Sequence, residues 1–410
     1  MVFSGEEPAR GGTTPSYDQW LTWKHAARAR DRMYAREEAD RPALRAEDLD
    51  WGDQYLLEST VAIIAPKAAE VVTAFYNELF SRLPGIRQMF PADLSVQKDR
   101  LLAALLALVS GGAEPARLTP VLEQLGRDHR KFGARPAQYR AIGAALMATL
   151  SRYVGPSWTR GVEEAWLARY GAAADVMMRA ATDDDQHPPF WYASVVGHRM
   201  CGGDVAILVV RPQQPYPYRA GQYATLESAR LPRVWRPYSM ATAPRPDGVL
   251  EFHIRAVGRG GLSDVLVSSA PGDLVRIGPP QGSVTLASMS QPASLFIAGG
   301  TGWSTVKALL GERAGDRRLQ FAAHLIVGCR PGEPYDPQFD AFVRRLPDTG
   351  TTLVHSADTL LAELAPHRLP TRELDVFLAG PPGLIEAATT ALSAAGITGR
   401  QLHYDSLVLV

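Results

Sequence analysis

Residues 182–189, TDDDQHPP, mark a change in hydrophobic period, and that change constrains the fold of this chain more than any other feature. Upstream, apolar residues recur every three or four positions. Downstream they alternate or cluster in short β-branched runs broken by Gly and Pro. A helix gathers i, i+3 and i+4 on one side whereas a strand alternates, so the two halves call for different architectures. At 410 residues the chain also exceeds what one hydrophobic core covers. The pattern predicts a helical N-terminal extension over 1–46, an all-α domain over 47–182, a linker over 183–189, an antiparallel β-barrel over 190–288 and an α/β domain over 289–410.

Particular residues carry these expectations. Val72, Phe75, Tyr76, Leu79, Phe80 and Leu83 make one apolar face that stops at Pro84 and Gly85, and LLAALLALVS supplies another helix. In the extension, Trp20, Trp23, Ala27 and Met33 predict a helix laid against the following domain. Segments such as VAILVVRP, RPYSMAT, LEFHIRAV and DLVRIGP read as barrel strands. Beyond residue 290, SLFIAGG, QFAAHLIVG, TTLVHS and DVFLAGPPG alternate with helical text, which implies a parallel sheet.

Composition excludes several classes of function. Forty-three basic residues cancel forty-three acidic ones, leaving no global field to recruit nucleic acid or an anionic membrane. The longest apolar run, 101–109, is far too short to span a bilayer. Only Cys201 and Cys329 occur, too far apart for a disulfide scaffold or a thiolate metal site. A reducing, cytoplasmic setting is expected, with small molecules as partners and a monomer or weak dimer as the assembly.

Five stretches carry chemistry. Leu122, Leu125, His129 and Phe132 share a helical stripe, so His129 points inward; Gly133 and Pro136 then supply stop and start signals. Taken alone, an inward histidine is more often a hydrogen-bonded core residue than a metal ligand. Gly299-Gly300-Thr301-Gly302 follows a strand and opens a helix near Ser304, a geometry that admits a pyrophosphate, although Thr305 fills the third small position of the dinucleotide fingerprint. After the next strand, Arg330 is placed to meet a 2'-phosphate, with Glu333 and Asp336 beyond it. In the barrel, Arg236-Pro237-Tyr238-Ser239 offers a cation, a ring and a hydroxyl, and Gly260-Gly261-Leu262-Ser263 opens a helix with Ser263 as the expected N-cap.

These motifs in this order resemble known proteins. RPYS, GGLS, Gly299 to Gly302 and Ala379-Gly380-Pro381-Pro382-Gly383 are similar to the flavin and nicotinamide loops of the ferredoxin reductase family, and with the helical domain in front the chain from residue 47 resembles a flavohaemoglobin. The resemblance implies an all-α globin, an FAD-binding barrel and a Rossmann-like NAD(P) domain. It implies haem b, FAD and NADH or NADPH as cofactors, and dioxygen and nitric oxide as substrates of a nitric oxide dioxygenase. By the same resemblance His129 is the proximal iron ligand and Tyr139 supports it; Tyr76 and Gln97 hold dioxygen, and Phe90 wedges the haem. Arg236, Tyr238, Ser239, Gly260, Gly261 and Ser263 hold FAD; Gly300, Thr301, Gly302, Arg330, Gly380 and Pro381 hold the nicotinamide nucleotide. Departures from the family are Ala181 where it has a proximal glutamate, Asp128 where it often has a junction lysine, Leu407 near its shielding aromatic, and Thr305 for a proline. Two other outcomes are a haem-based gas sensor with a built-in reductase and a flavin reductase whose globin-like domain lacks haem.

Overall fold

The structure, a computed structural model, describes residue 50 and residues 52–111, 115–319, 321–329, 334–364 and 373–405. The expected N-terminal helix, Arg330, Glu333 and Leu407 lie outside these residues.

Six helices form the N-terminal part: α1 (Gln54–Ile64), α2 (Ala68–Arg82), α3 (Ser95–Gly111), α4 (Pro115–His129), α5 (Pro136–Val154) and α6 (Arg160–Asp183). Their ends follow local chemistry. Asp53 caps α1 by accepting from the Leu56 N–H (3.0 Å), and Thr159 caps α6 by accepting from the Val162 N–H (3.3 Å). Buried Arg169 satisfies carbonyls at the end of α3, donating to Leu108 (2.7 Å) and Val109 (3.1 Å). A Cβ on Gly126 would stand 2.2 Å from the Met177 carbonyl oxygen, so glycine there is what lets α4 cross α6 closely. That crossing sets the position of His129 one turn later.

Helix α4 ends at His129 and not beyond it. Residues Arg130–Phe132 form a 3-10 turn, Gly133 adopts the left-handed conformation (φ +76°) and Pro136 opens α5. The acidic segment after α6 is tied down. Arg130 pairs with the Asp184 carboxylate and donates to the backbone carbonyls of Asp184 and His187, each at 2.7 Å.

The next part is a six-stranded antiparallel sheet in the order β4-β3-β6-β1-β2-β5. Its strands are β1 (Trp191–Cys201), β2 (Val205–Pro212), β3 (Tyr223–Ser228), β4 (Leu231–Ser239), β5 (Leu250–Arg255) and β6 (Leu274–Gln281). A bridge from Met240 to Phe252 joins the two edges and closes the sheet into a barrel, and the short helix α7 (Leu262–Val267) packs at one end. On β5 the even residues Leu250, Phe252 and Ile254 enter the barrel core, which leaves Glu251, His253 and Arg255 on the outer face.

The last part is a parallel sheet in the order β11-β10-β7-β8-β9, from β7 (Ala293–Gly299), β8 (Ala322–Gly328), β9 (Thr349–Val354), β10 (Leu374–Ala379) and β11 (Leu402–His403). Helices α8 (Trp303–Gly315), α9 (Phe339–Val343), α10 (Ala357–Glu363) and α11 (Pro382–Ala394) connect them. Because β8 and β10 flank β7 on opposite sides, a crevice opens at the carboxyl ends of β7 and β10, the usual ligand position in such a sheet.

Candidate functional site

His129 is held by its own helix. Its Nδ1 lies 2.7 Å from the Leu125 carbonyl one turn back; a carbonyl only accepts, so Nδ1 carries the proton and Nε2 keeps the lone pair a metal needs. Burial lowers the pKa of the ring, which favours this neutral form. Among the described residues no carboxylate bonds His129 or Tyr139. Tyr139 is buried, its hydroxyl pushed up to about 12 by desolvation, and its backbone carbonyl accepts from the Tyr170 hydroxyl at 2.6 Å.

The other helical residues gather around Tyr76. Its ring meets Phe75, Phe80 and Phe90 at centroid distances of 5.3, 5.7 and 5.7 Å, and burial raises its pKa. The Tyr76 hydroxyl donates to the backbone carbonyl of Gln97 (3.1 Å), while the Gln97 side-chain oxygen is buried with no hydrogen-bond partner among the described residues. A buried polar atom left unpaired costs stability unless a ligand or water meets it. Beside this pair, Met89, Phe90, Leu94, Leu101, Leu102, Leu105 and Ile142 stay only partly buried around the helical core. A flat apolar group fits such a lining.

A seam joins the His129 turn to the barrel. The His129 ring meets Phe132 edge-on at 6.1 Å, and Phe132 meets Trp235 of β4 at 6.4 Å. Lys131 is buried here. Its Nζ donates to both Asp128 carboxylate oxygens (2.6 and 2.7 Å) and to the Thr225 hydroxyl (2.9 Å), and it lies over the Trp235 ring at 5.0 Å. Gln281 of β6 donates to Asp128 at 2.7 Å, and Arg276 covers the Trp235 ring at 5.6 Å.

Further along β4, Tyr238 and Ser239 line a cleft of about 970 Å³ that reaches Gly300, Thr301, Gly302, Gly380 and Pro381. Its volume is at the upper end for small-molecule sites. Burial pushes the Tyr238 hydroxyl up to about 12. Arg236 is not part of this lining and donates to the Trp235 carbonyl at 2.8 Å. The glycines serve the backbone first: a Cβ on Gly302 would meet the Ala379 carbonyl oxygen at 2.1 Å, and one on Gly299 the Leu384 side chain at 2.4 Å. Only Gly300, at φ +53°, has the left-handed conformation itself.

Two expectations need correction. Ser263 is not the N-cap of α7; Gly261 is, because the helix begins at Leu262, and the Ser263 hydroxyl accepts from the Val257 N–H at 3.0 Å. The Gly260 N–H is occupied by the Asp264 carboxylate (3.0 Å). Asp336 does not stand free to read a ribose: it is buried against Lys307 (2.9 Å) and the Trp303 indole (3.0 Å). The sequence reading also missed Asp405, which lines the cleft and accepts from the Ser283 N–H at 3.1 Å.

Comparison with known proteins follows this division. A globin family model matches residues 73–177, and an oxidoreductase FAD-binding domain model matches residues 193–286. Proteins named flavohemoprotein match both parts together: one from Xylella fastidiosa is 22% identical over 85% of this chain and 94% of its own length, and one from Chromobacterium violaceum is 24% identical over 85% and 96%. In this order of domains the chain is similar to flavohaemoglobins. A flavohemoglobin from Malassezia yamatoensis, solved with bound FAD and heme, shares the fold with a TM-score of 0.71 at 17% identity, over 86% of this chain and 97% of that one.

The chain departs from that resemblance at the seam. With Ala181 inside α6, the acids that follow it are engaged elsewhere or exposed: Asp183 faces solvent and Asp184 is bound by Arg130. At Asp128, where the family it resembles often has a lysine, the buried cation of the seam is instead Lys131, which Asp128 holds in place. Thr305 is buried in the cleft wall where the family has proline.

Proposed function

We propose that this chain is an NAD(P)H-dependent oxidoreductase in which FAD and haem act in series and dioxygen is used to convert nitric oxide to nitrate. When bound, the flavin supplies conversion of a two-electron donor to single electrons and the haem iron supplies gas binding and one-electron chemistry. The observation that carries this reading is the continuous aromatic contact from the ring of His129 through Phe132 to Trp235, the residue before the Arg236-Pro237-Tyr238-Ser239 run. It brings the candidate iron ligand and the candidate flavin strand to one seam.

The residues divide the work. His129 offers Nε2 to iron, its orientation fixed by Leu125; buried Tyr139 backs it. Phe90 and its neighbours exclude water, and the unpartnered Gln97 oxygen together with Tyr76 borders the gas side. Tyr238 and Ser239 hold the flavin ring, with Arg236, Gly260, Gly261 and Ser263 serving its phosphates and adenosine. Gly300, Thr301, Gly302, Gly380, Pro381 and Arg330 receive the nucleotide, the arginine favouring NADPH.

A second reading, a gas-binding or sensing protein with its own reductase, is favoured by the absence, among the described residues, of a carboxylate bonded to His129 and by the Tyr76 hydroxyl donating to a backbone carbonyl. Aerobic turnover with nitric oxide separates the two. Stoichiometric NAD(P)H use with nitrate formation supports the dioxygenase, and a stable gas complex with negligible turnover supports the sensor. The anaerobic spectrum of the purified protein, before and after NADH and then NADPH, tests the relay itself. Reduction of flavin followed by haem is expected, and His129→Ala removes the intense haem absorption. Unchanged haem content in that variant overturns the assignment.

A further inference from the structure

Behind one wall of the nucleotide cleft lies a buried ionic cluster that the relay does not explain. Glu251 and His253 project from the outer face of β5 in the barrel. Lys307 and Trp303 come from α8, and Tyr335 and Asp336 from the connection after β8. Lys307 Nζ donates to Glu251 Oε1 at 2.8 Å and to Asp336 Oδ2 at 2.9 Å. The Trp303 indole donates to the same Asp336 oxygen at 3.0 Å. His253 lies 2.8 Å from Glu251 through Nε2 and 2.7 Å from the Tyr335 hydroxyl through Nδ1. A carboxylate only accepts, so Nε2 carries the proton and Tyr335 donates to Nδ1. The side chains of Lys307, Asp336 and His253 are 7%, 0% and 0% exposed.

Such a cluster is a poor device for stability, because desolvating three charges offsets most of their attraction and apolar residues of equal volume would do as well. What it supplies is direction. Every member has a defined partner, and each link from Glu251 to Lys307 to Asp336 tolerates only a few tenths of an ångström. The linked elements carry the two walls of the cleft: the barrel presents Tyr238 and Ser239, and the α/β layer presents Gly300 to Gly302. His253, Trp303 and Tyr335 belong both to the cluster and to the cleft lining.

We propose that Lys307 is a positioning residue, pinned between Glu251 of the barrel and Asp336 of the α/β layer, that sets the spacing of the two cleft walls and so the register of the nicotinamide ring against its acceptor. The inference rests on the reading of the cleft as the nicotinamide nucleotide site. Sliding that ring by about 1 Å is enough to cost on the order of 100-fold in a transfer step, while contacts along the rest of a dinucleotide still hold it.

The test uses the full chain with its cofactors and the variants Lys307→Met and Lys307→Arg. Anaerobic rapid mixing with NADPH or NADH over a range of concentrations gives a limiting rate of flavin reduction and a half-saturation value. Lys307→Met is expected to lower the limiting rate at least tenfold with half-saturation changed less than about twofold, and Lys307→Arg to recover most of the rate. A spectroscopic readout accompanies it: the long-wavelength charge-transfer band between nicotinamide and flavin weakens in Lys307→Met at saturating nucleotide. Should Lys307→Met fail to fold, the triple variant Glu251→Gln, Lys307→Met, Asp336→Asn removes the charges together, and the same split is expected from it. A limiting rate within twofold of wild type, an unchanged charge-transfer band, or losses that merely track flavin content overturn the proposal. If the wild-type flavin is reduced by neither nucleotide, the cleft reading itself fails, which is a separate result seen before any variant is compared.

Discussion

Replacing Asp128 should harm this protein more than replacing the lysine it holds. The Lys131 side chain is 1% exposed and that of Asp128 is 18% exposed. In Asp128→Ala the ammonium keeps the Thr225 hydroxyl, the faces of Phe132 and Trp235 and the attraction of the Glu227 carboxylate, but loses its bonded anion. Removing one partner of a buried pair costs about 3–5 kcal/mol, and because water reaches the Asp128 side the expected loss here is about 2–3 kcal/mol. Lys131→Met keeps the apolar stem over Trp235 and leaves Asp128 a Gln281 N–H and solvent, a loss of about 1 kcal/mol. At about 2 °C per kcal/mol for a unit of this size, calorimetry of the full chain should show midpoints lowered by about 4–6 °C for Asp128→Ala and about 2 °C for Lys131→Met. The double variant should match Lys131→Met, since the unpaired cation is gone. An equal or larger loss in Lys131→Met refutes the reasoning.

Two further outcomes follow from buried polar groups. Glu251 is held at about 2, burial opposing and the His253 N–H and Lys307 ammonium overcoming it, and burial lowers His253. Both folded pKa values lie below the unfolded ones, so the unfolded chain takes up more protons as pH falls, below about 6.5 for His253 and below about 4.5 for Glu251. Melting midpoints should therefore drop on acidification across that window, and Glu251→Gln should flatten the decline below pH 4.5 by on the order of 2 kcal/mol; parallel curves for the variant and wild type would falsify the assignment. Gln97→Met removes the unpartnered Gln97 oxygen while sparing the backbone carbonyl that Tyr76 uses, so the haem-free chain should gain about 1 kcal/mol, read as a raised midpoint, whereas dioxygen should leave the loaded protein faster in flash photolysis.

What could be read from the sequence was what local geometry decides. The changes of pattern near residues 182 and 290 marked the three architectures. The i, i+4 spacing of Leu125 and His129 puts that ring under a carbonyl of its own helix, and Gly133 and Pro136 announce the turn that follows. What escaped depends on distant partners. Lys131 looks like a surface lysine until Thr225 and Gln281, 94 and 153 positions from their seam partners, fold over it. Lys307 breaks an apolar stripe in WSTVKALL, and that anomaly was the available signal for a buried charge. The cap at α7 was misread because the N-cap falls two residues before Ser263, at a glycine with no side chain to mark it. Gly299 and Gly302 were read as room for a ligand, although packing of β7 against the β10 loop already demands them.

The segment that follows α6 grips Arg130, the neighbour of His129, through Asp184 and His187. The tether is thus also a lever: a tilt of the barrel pulls on the same turn that aims the imidazole. Grafting this globin onto a foreign reductase would have to bring that grip along, or the turn that carries His129 would lose its anchor.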